Sequence, residues 1–162
     1  MAATLNKQSY RYRVKFENFG SGYESGILTS NVVSCIRPSL TFVETAKLNQ
    51  NDVTNARYIA EWGDITLVVR DDADGKTRKL IGEQLIKQFT AFQDATESPP
   101  EYKFNLTIEI LDRNDGNDPK VLETWSIIGA FIQTISYGSL AYSSNSPIDN
   151  TMIIKFDKAS II

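Results

Sequence analysis

The chain has 162 residues, of which 41% are hydrophobic and 23% charged, and its formal net charge is -3. This length and composition predict one soluble globular domain that covers residues 1–162 and buries roughly two thirds of its unfolded surface. The slightly acidic balance provides no basic footprint, which argues against tight nucleic-acid binding.

Histidine and cysteine, which supply many catalytic and metal-binding groups, are absent or nearly absent from this chain. The chain has no histidine, and Cys35 is its only cysteine. Ordinary zinc sites, Ser-His or Cys-His nucleophile pairs and an intrachain disulfide framework are therefore excluded. We expect no enzyme activity, no metal and no cofactor. Residues 1–16 lack the apolar core of a signal peptide and no apolar run could span a bilayer, which predicts an intracellular origin.

The first third of the chain predicts strands separated by loops. Residues 9–16 alternate large apolar side chains with arginine and lysine, which is typical of a strand with a basic outer face. That face is either solvated or a contact for an acidic partner. Glycine-rich residues 20–26 predict a flexible loop, and residues 27–36 predict a second strand ended by Pro38. Residues 40–48 predict a third strand, with neither face strongly apolar.

The middle of the chain predicts the only helix. Residues 49–55 predict a polar loop, and residues 56–70 contain the next strand. An aspartate-rich turn at 71–75 suits the start of a helix over residues 76–93, because unpaired N–H groups there favour negative charge. We predict that the helix packs on the sheet through an apolar stripe formed by Ile81, Leu85, Phe89 and Phe92.

A long hairpin is the strongest local signal in the sequence. Residues 102–110 alternate with period two, turn residues fill 112–119, and a second strand runs over residues 120–128. The turn imitates a calcium-binding loop, but Asn117 occupies the position that requires glycine, and the turn joins strands instead of helices. The sequence therefore predicts a plain β-hairpin on which the domain is built.

Two of the predicted strands, residues 40–48 and 134–143, have no obvious inner face. Residues 151–157 predict a last, regular strand. Long strands with open edges are a hazard for a monomer, and closure into a ring would pair those edges. The pattern thus favours a mainly β fold, an antiparallel sandwich or barrel-forming sheet with one flanking helix, that assembles with copies of itself.

The order of elements and several short runs resemble the tail tube proteins of contractile-tailed bacteriophages. The resemblance covers residues 30–157 and rests on the strand entering at Arg57, the single helix, and Pro99-Pro100-Glu101-Tyr102-Lys103. Trp125, the run Gly129-Ala130-Phe131 and a last strand ending in an apolar-Lys-Phe-Asp pattern complete it.

The sequence departs from the family pattern in three places. Phe131 is followed by Ile132 where the family tends to have proline, Phe89 or Phe92 stands where tryptophan is common, and the loop at 20–26 is long. These departures leave three alternatives open: the repeating tube subunit, a baseplate-end tube protein, or the tube of a phage-like injection machine.

The resemblance implies a structural subunit that forms stacked hexameric rings inside a contractile sheath. Its implied partners are copies of itself, the sheath protein, and baseplate and tape-measure proteins. DNA would pass through the lumen without specific binding, and the protein would be made in the host cytoplasm and reside in the virion tail.

Three sets of residues acquire roles through this resemblance. The lumen would be lined by Thr41, Val43, Thr45, Lys47, Thr134, Ser136, Ser139 and Ser143. Contacts to the next ring would come from Asn49, Gln50, Asn51, Asp52 and Asn55. The outer helix would present Lys79, Glu83 and Lys87 to the sheath.

Two hypotheses of other classes remain open at the sequence level. One is a monomeric β-sandwich that binds a glycan or a protein through the tyrosine-rich first strand. The other is a hydrolase that uses carboxylates such as Asp71, Asp72 and Asp74. The assembly state separates the tube subunit from the binding module.

Overall fold

A computed structural model describes residues 6–22, 25–45, 57–93, 101–112 and 118–162. Within these residues the chain forms nine strands and two helices. In chain order they are β1 (Tyr12–Glu17), α1 (Ser25–Asn31), β2 (Val32–Cys35), β3 (Leu40–Thr45), β4 (Arg57–Trp62), β5 (Ile65–Arg70), α2 (Lys76–Gln93), β6 (Phe104–Leu111), β7 (Val121–Ser136), β8 (Asp149–Lys155) and β9 (Lys158–Ile161).

Seven strands form one antiparallel sheet in the order β1-β6-β7-β8-β5-β2, with β9 also pairing with β7. The Tyr12 hydroxyl donates a hydrogen bond of 2.8 Å to the carbonyl of Val33, so the two end strands approach each other. The sheet therefore curls into a barrel-like shape around one core. This mainly β, antiparallel architecture confirms the predicted fold class.

The hairpin predicted around residues 102–128 is β6 and β7, and its second strand is longer than predicted. β7 has 16 residues and passes through Gly129; it pairs with β6 as far as Ala130 and with β8 from Phe131 onward. Gly129 has φ 72°, and a Cβ there would lie 2.1 Å from Oδ2 of Asp157. Only glycine fits this bend without strain.

The core consists of the inward positions of the strands and the buried side of the helices. Phe19, which follows β1, packs edge-to-face against Phe16 and Phe104, with ring centroids 5.4 and 4.8 Å apart. Alternation with period two supplies the other main contributors, which are Val14, Leu67, Val69, Leu106, Ile108, Ile127, Met152 and Ile154. Burial of these side chains is the main force that stabilises the barrel.

The predictions for residues 20–36 were partly wrong, because part of that region is helical. Helix α1 precedes a β2 strand of only four residues. Leu28 of α1 is fully buried, and the Asn31 side-chain amide donates to Thr77 of α2 at 2.9 Å. Packing against α2 thus overrides a local pattern that resembled a strand.

Helix α2 has the predicted bounds, but only half of the predicted stripe packs on the core. Ile81 is fully buried and Leu85 is partly buried against the core, whereas Phe89 and Phe92 are more than 60% exposed. The buried residues are Thr77, Leu80, Ile81, Gln84, Gln88 and Ala91. The helix is therefore rotated relative to the predicted stripe, because buried glutamine side chains satisfy backbone groups of the sheet.

Candidate assembly surfaces

Strands β3 and β4 form a two-stranded sheet that is separate from the seven-stranded sheet. At its base the Gly63 amide donates to the Ser39 carbonyl at 2.8 Å, and β4 leads directly into β5. An isolated two-stranded hairpin is marginally stable in water. Within the described residues, the hairpin contacts the rest of the subunit only near its base. We therefore expect contacts with other parts or other copies of the chain to stabilise it.

The two faces of this hairpin differ in character. Register pairs Phe42 with Ala60 and Val43 with Ile59, so alternate residues separate onto opposite faces. One face, here called the apolar face, carries Leu40, Phe42, Tyr58 and, next to the barrel, Trp62, whose ring lies 5.9 Å from Phe156. Ala60 and Glu44 share this face, with Glu44 opposite Tyr58. Phe42 and Tyr58 are 65% and 63% exposed. The β3 sequence alone did not indicate this face, because β4 supplies half of it.

The opposite face of the hairpin contains Thr41 and Val43, two of the lumen-lining residues predicted in this part of the chain. Both are exposed; Thr41 lies opposite Glu61 of β4, and Val43 lies opposite Ile59. Thr45 lies in the same strand, paired in register with Arg57. Lys47 falls outside the described residues, as do the predicted ring-contact residues, which are Asn49, Gln50, Asn51, Asp52 and Asn55.

The second predicted lumen strand, residues 134–143, is shorter than expected. Thr134 and Ser136 are exposed at the end of β7, but β7 ends at Ser136. Ser139 and Ser143 are exposed in the connection to β8, so their placement on a strand was wrong. Glycine in the left-handed region (Gly138, φ 80°) ends the extended backbone there.

The three helix residues predicted to face outward occupy different environments. Lys79 is exposed. Glu83 accepts a hydrogen bond of 3.0 Å from the Ser21 amide, and Lys87 donates one of 3.1 Å to the Asn18 carbonyl. Glu83 and Lys87 therefore fasten the helix to the turn that follows β1.

Two buried glutamines fix α2 against the sheet. The Gln88 side chain accepts from the Ile132 amide and donates to the Ile132 carbonyl, both at 2.9 Å. Gln84 donates to the carbonyl of Tyr102 at 2.7 Å and accepts from the Gly20 amide at 3.1 Å. Sequence reasoning missed this network, although glutamines four residues apart beside Leu80 and Ile81 are its visible signal. The arrangement holds Ile86 and Phe89 on the outside.

The basic face predicted for β1 is paired within the sheet. Arg13 and Lys15 contact the largely buried carboxylate of Glu109 on β6, at 2.6 and 2.9 Å. Burial opposes ionisation of Glu109, but the hydrogen bonds from Lys15 and Arg13 outweigh it and hold its pKa below the ordinary value. The acidic group that these cations bind is therefore in the same chain.

A second carboxylate, Glu123 at the start of β7, joins segments that are distant in sequence. It contacts Lys7, Arg37 and the indole N–H of Trp125. The hydrogen bond from Lys7 and then that from Trp125 lower the pKa of Glu123. Nearby, burial raises the pKa of the Cys35 thiol to about 12, so this cysteine is a poor nucleophile.

The aspartates proposed for a hydrolase belong to the start of α2. Asp72 accepts hydrogen bonds from the amides of Thr77 and Lys76, at 2.8 and 3.1 Å. These bonds, chiefly that from Thr77, lower its pKa, so Asp72 acts as a helix cap. Within the described residues, no three His, Cys, Asp or Glu side chains come together in a way that could hold a metal ion. No helix among those residues is long and apolar enough to cross a membrane.

Neither a protein-family model nor a curated protein sequence matches the chain. Solved structures do. A chain in the extended-state sheath/tube terminator of the PVC extracellular contractile injection system aligns with a TM-score of 0.61 at 17% identity, over 99% of both chains. A chain of the PVC sheath-tube complex in the extended state aligns with a TM-score of 0.57 at 18% identity, and the alignment covers 97% of this chain and 91% of that one. A chain of the sixfold-symmetrised anti-feeding prophage baseplate aligns with a TM-score of 0.58 at 15% identity, and the alignment covers 99% of this chain and 97% of that one.

The fold is shared with chains from contractile injection systems, found in a baseplate, a tube-terminating cap, a sheath-tube complex and a sheath/tube terminator. The recognition made from the sequence is confirmed at this level. Identities of 15–18% establish a shared fold and no more.

Proposed function

We propose that this chain is a tube-forming subunit of a contractile tail or injection machine. Copies assemble into hexameric rings, and the rings stack into a hollow conduit that the sheath surrounds. The observation that carries the proposal is the β3–β4 hairpin, which leaves the barrel with large apolar side chains exposed on both faces. Large apolar side chains that are exposed close together often mark a contact with another protein or another subunit.

The similar solved structures support the same proposal from a different direction. They come from a sheath-tube complex, a sheath/tube terminator and a sixfold-symmetrised baseplate. We extend to this chain sixfold rings, a sheath partner, and contacts to baseplate and tape-measure proteins. If the particle is a phage tail, its lumen carries DNA. The lumen-lining role goes to Thr41, Val43, Thr45 and Lys47 of the hairpin and to Thr134, Ser136, Ser139 and Ser143.

The remaining roles follow from the same assignment. The predicted contacts to the next ring stay with Asn49, Gln50, Asn51, Asp52 and Asn55. The outer side of α2, with Lys79 and its half-buried neighbours Glu83 and Lys87, is assigned to the sheath. The particle would be a virion tail or a related injection device, and its subunits would be synthesised in the cytoplasm of the producing cell.

Negative-stain electron microscopy with light scattering on the same sample tests the proposal. We expect rings with a central hole or hollow tubes from the parent chain. Phe42→Glu places a charge on the apolar face and should leave single subunits. Val43→Glu is the matched control, because it places the same charge next to Phe42 on the opposite, lumen-side face, across from Ile59, and it should still form rings.

Two results would contradict the proposal. One is a parent chain that stays a single subunit at high concentration and on a preassembled baseplate. The other is assembly of the Phe42→Glu variant as efficient as that of the Val43→Glu variant. Either would favour a monomeric binding module.

A further inference from the structure

A cavity of about 290 Å³ lies at the seam where the two end strands of the seven-stranded sheet approach each other. Within the described residues, β1 pairs with β6 and β2 pairs with β5, but no main-chain ladder joins β1 to β2. The hydrogen bond from the Tyr12 hydroxyl to the Val33 carbonyl bridges the seam through a side chain instead. Because a side chain spans this gap in place of a ladder, space remains beside it.

One wall of this cavity is uncharged and largely apolar. Ile108 and Ile110 of β6 line it, and both are buried. Tyr12 and Cys35 line it as well, and burial raises the pKa of both side chains, so they are neutral at pH 7. The cavity therefore offers a surface against which a small apolar group can lie.

The same cavity is lined by three cationic side chains, those of Lys7, Arg11 and Arg37. One carboxylate, that of Glu123, contacts Lys7 and Arg37. The hydrogen bonds that Glu123 accepts keep its pKa below the ordinary value, so it is ionised at pH 7. Three positive charges thus share one negative charge, and the cavity favours an anion.

Arg11 is the cation whose hydrogen bonding is incomplete. None of the ion pairs among the described residues involves Arg11. Its guanidinium donates to the backbone carbonyl of Asp112 at 3.2 Å and lies 5.6 Å from the ring centre of Tyr10. Its Nε atom is buried and has no acceptor in the described part of the chain. A buried donor without an acceptor is costly, most of all on a charged group, so this atom indicates a missing acceptor.

We propose that this cavity binds a small organic anion, with a carboxylate or phosphate head on a short apolar body. The head accepts hydrogen bonds from Arg11 and from the exposed guanidinium of Arg37, since guanidinium groups match the geometry of both heads. The body lies against Ile108 and Ile110. Binding at this seam goes beyond the proposed function and does not require copies of the chain to assemble.

An ordered water molecule is the competing occupant of the cavity. Water could accept a hydrogen bond from Nε of Arg11, but it would leave the excess positive charge uncompensated. It would also leave the apolar wall hydrated, whereas buried water favours sites with two to four polar partners. An anion with an apolar body matches both the charge and the wall.

Isothermal titration calorimetry of the full chain tests this site, with octanoate and octyl phosphate as the probes. We expect saturable binding of at least one probe, one per chain, with a dissociation constant of about 1 mM or tighter. The tighter probe identifies the head group. Octylamine has the same apolar body with a cationic head, and acetate has the anionic head alone, so both should bind at least about tenfold more weakly.

Two substitutions test the residues that hold the head group. Arg11→Gln and Arg37→Gln should each weaken binding of the tighter probe about tenfold or more, because each removes a charged donor. Arg78→Gln, at an exposed position of α2, is the matched control and should bind like the parent. Circular dichroism establishes that the variants fold. If Arg11→Gln does not fold, Arg37→Gln decides the test, because its side chain is 58% exposed.

Four results would overturn this inference. They are the absence of saturable binding of either probe up to about 10 mM, binding of octylamine or acetate as tight as that of the anionic probes, unchanged affinity in the folded Arg11→Gln or Arg37→Gln variant, and equal weakening by Arg78→Gln. The first would assign the cavity to water, and the last would assign the binding to diffuse surface charge. None of them bears on whether the chain forms rings or tubes, so the proposed function is tested separately.

Discussion

The Gln88 side chain holds α2 against the sheet through two hydrogen bonds to the backbone of Ile132, and we expect its removal to destabilise the protein. Gln88→Leu keeps the size of the side chain but leaves the amide and the carbonyl of Ile132 buried without partners. Each such group costs about 1–3 kcal/mol, partly offset by the added apolar burial of leucine. We expect the free energy of unfolding to fall by about 3 kcal/mol. For a chain of this length, the melting temperature should fall by about 6–12 °C.

Thermal and urea unfolding of the unassembled chain, followed by circular dichroism, measures the effect. The matched control is Gln93→Leu, the same substitution at the exposed last residue of the same helix. It should change stability by less than about 0.5 kcal/mol. If Gln88→Leu melts within about 2 °C of the control, the two hydrogen bonds to Ile132 do not fix the helix, and the account of its rotation is wrong.

Two further predictions concern the sheet. Glu109→Gln should lower the free energy of unfolding by about 1–3 kcal/mol at pH 7. The hydrogen bonds from Lys15 and Arg13 hold the folded-state pKa of Glu109 below its ordinary value. The contribution of Glu109 is therefore present above the ordinary carboxyl pKa and is lost as the pH falls through the folded-state pKa, so urea titrations of variant and parent should differ less at acidic pH than at pH 7. Equal differences at both pH values would refute the ionic explanation. Gly129→Ala should destabilise the chain by about 1–3 kcal/mol, because of its positive φ and the clash with Asp157. Gly82→Ala, with open space in mid-helix, should stabilise it by about 0.5–1 kcal/mol, and a similar response at both glycines would contradict this reasoning.

The sequence was most informative where a pattern has one physical cause. Strict alternation over residues 102–110 led directly to β6, since the apolar face of that strand is buried, whereas the opposite face is only partly buried except at Glu109. The aspartate-rich turn led to the correct start of α2, since Asp72 caps it. The bounds of α2 were also right. In each case, a few neighbouring residues contain the whole signal.

It was least informative where residues distant in sequence decide the structure. Helix α1 forms because Leu28 enters a core made by other elements, and β2 is short as a result. Phe89 resembles a core residue, but Gln88 occupies the inward position because Ile132 needs its amide. The apolar face of the hairpin combines Phe42 with Tyr58, which lie on strands separated by the residues outside the described part of the chain. No local pattern contains such pairings.

The contacts that stabilise the barrel and the surfaces proposed for assembly lie in different parts of the subunit. The chain can therefore fold stably and still associate with other copies. The core, Gln88 and Glu109 stabilise the barrel, whereas the β3–β4 hairpin contacts that core through Trp62 and keeps its other large apolar side chains exposed. A charge at Phe42 should therefore cost the isolated subunit almost no stability, because this side chain is already solvated. Loss of assembly at an unchanged melting temperature can then be assigned to the contact itself. The same separation allows the assembly surfaces to change while the barrel retains its fold.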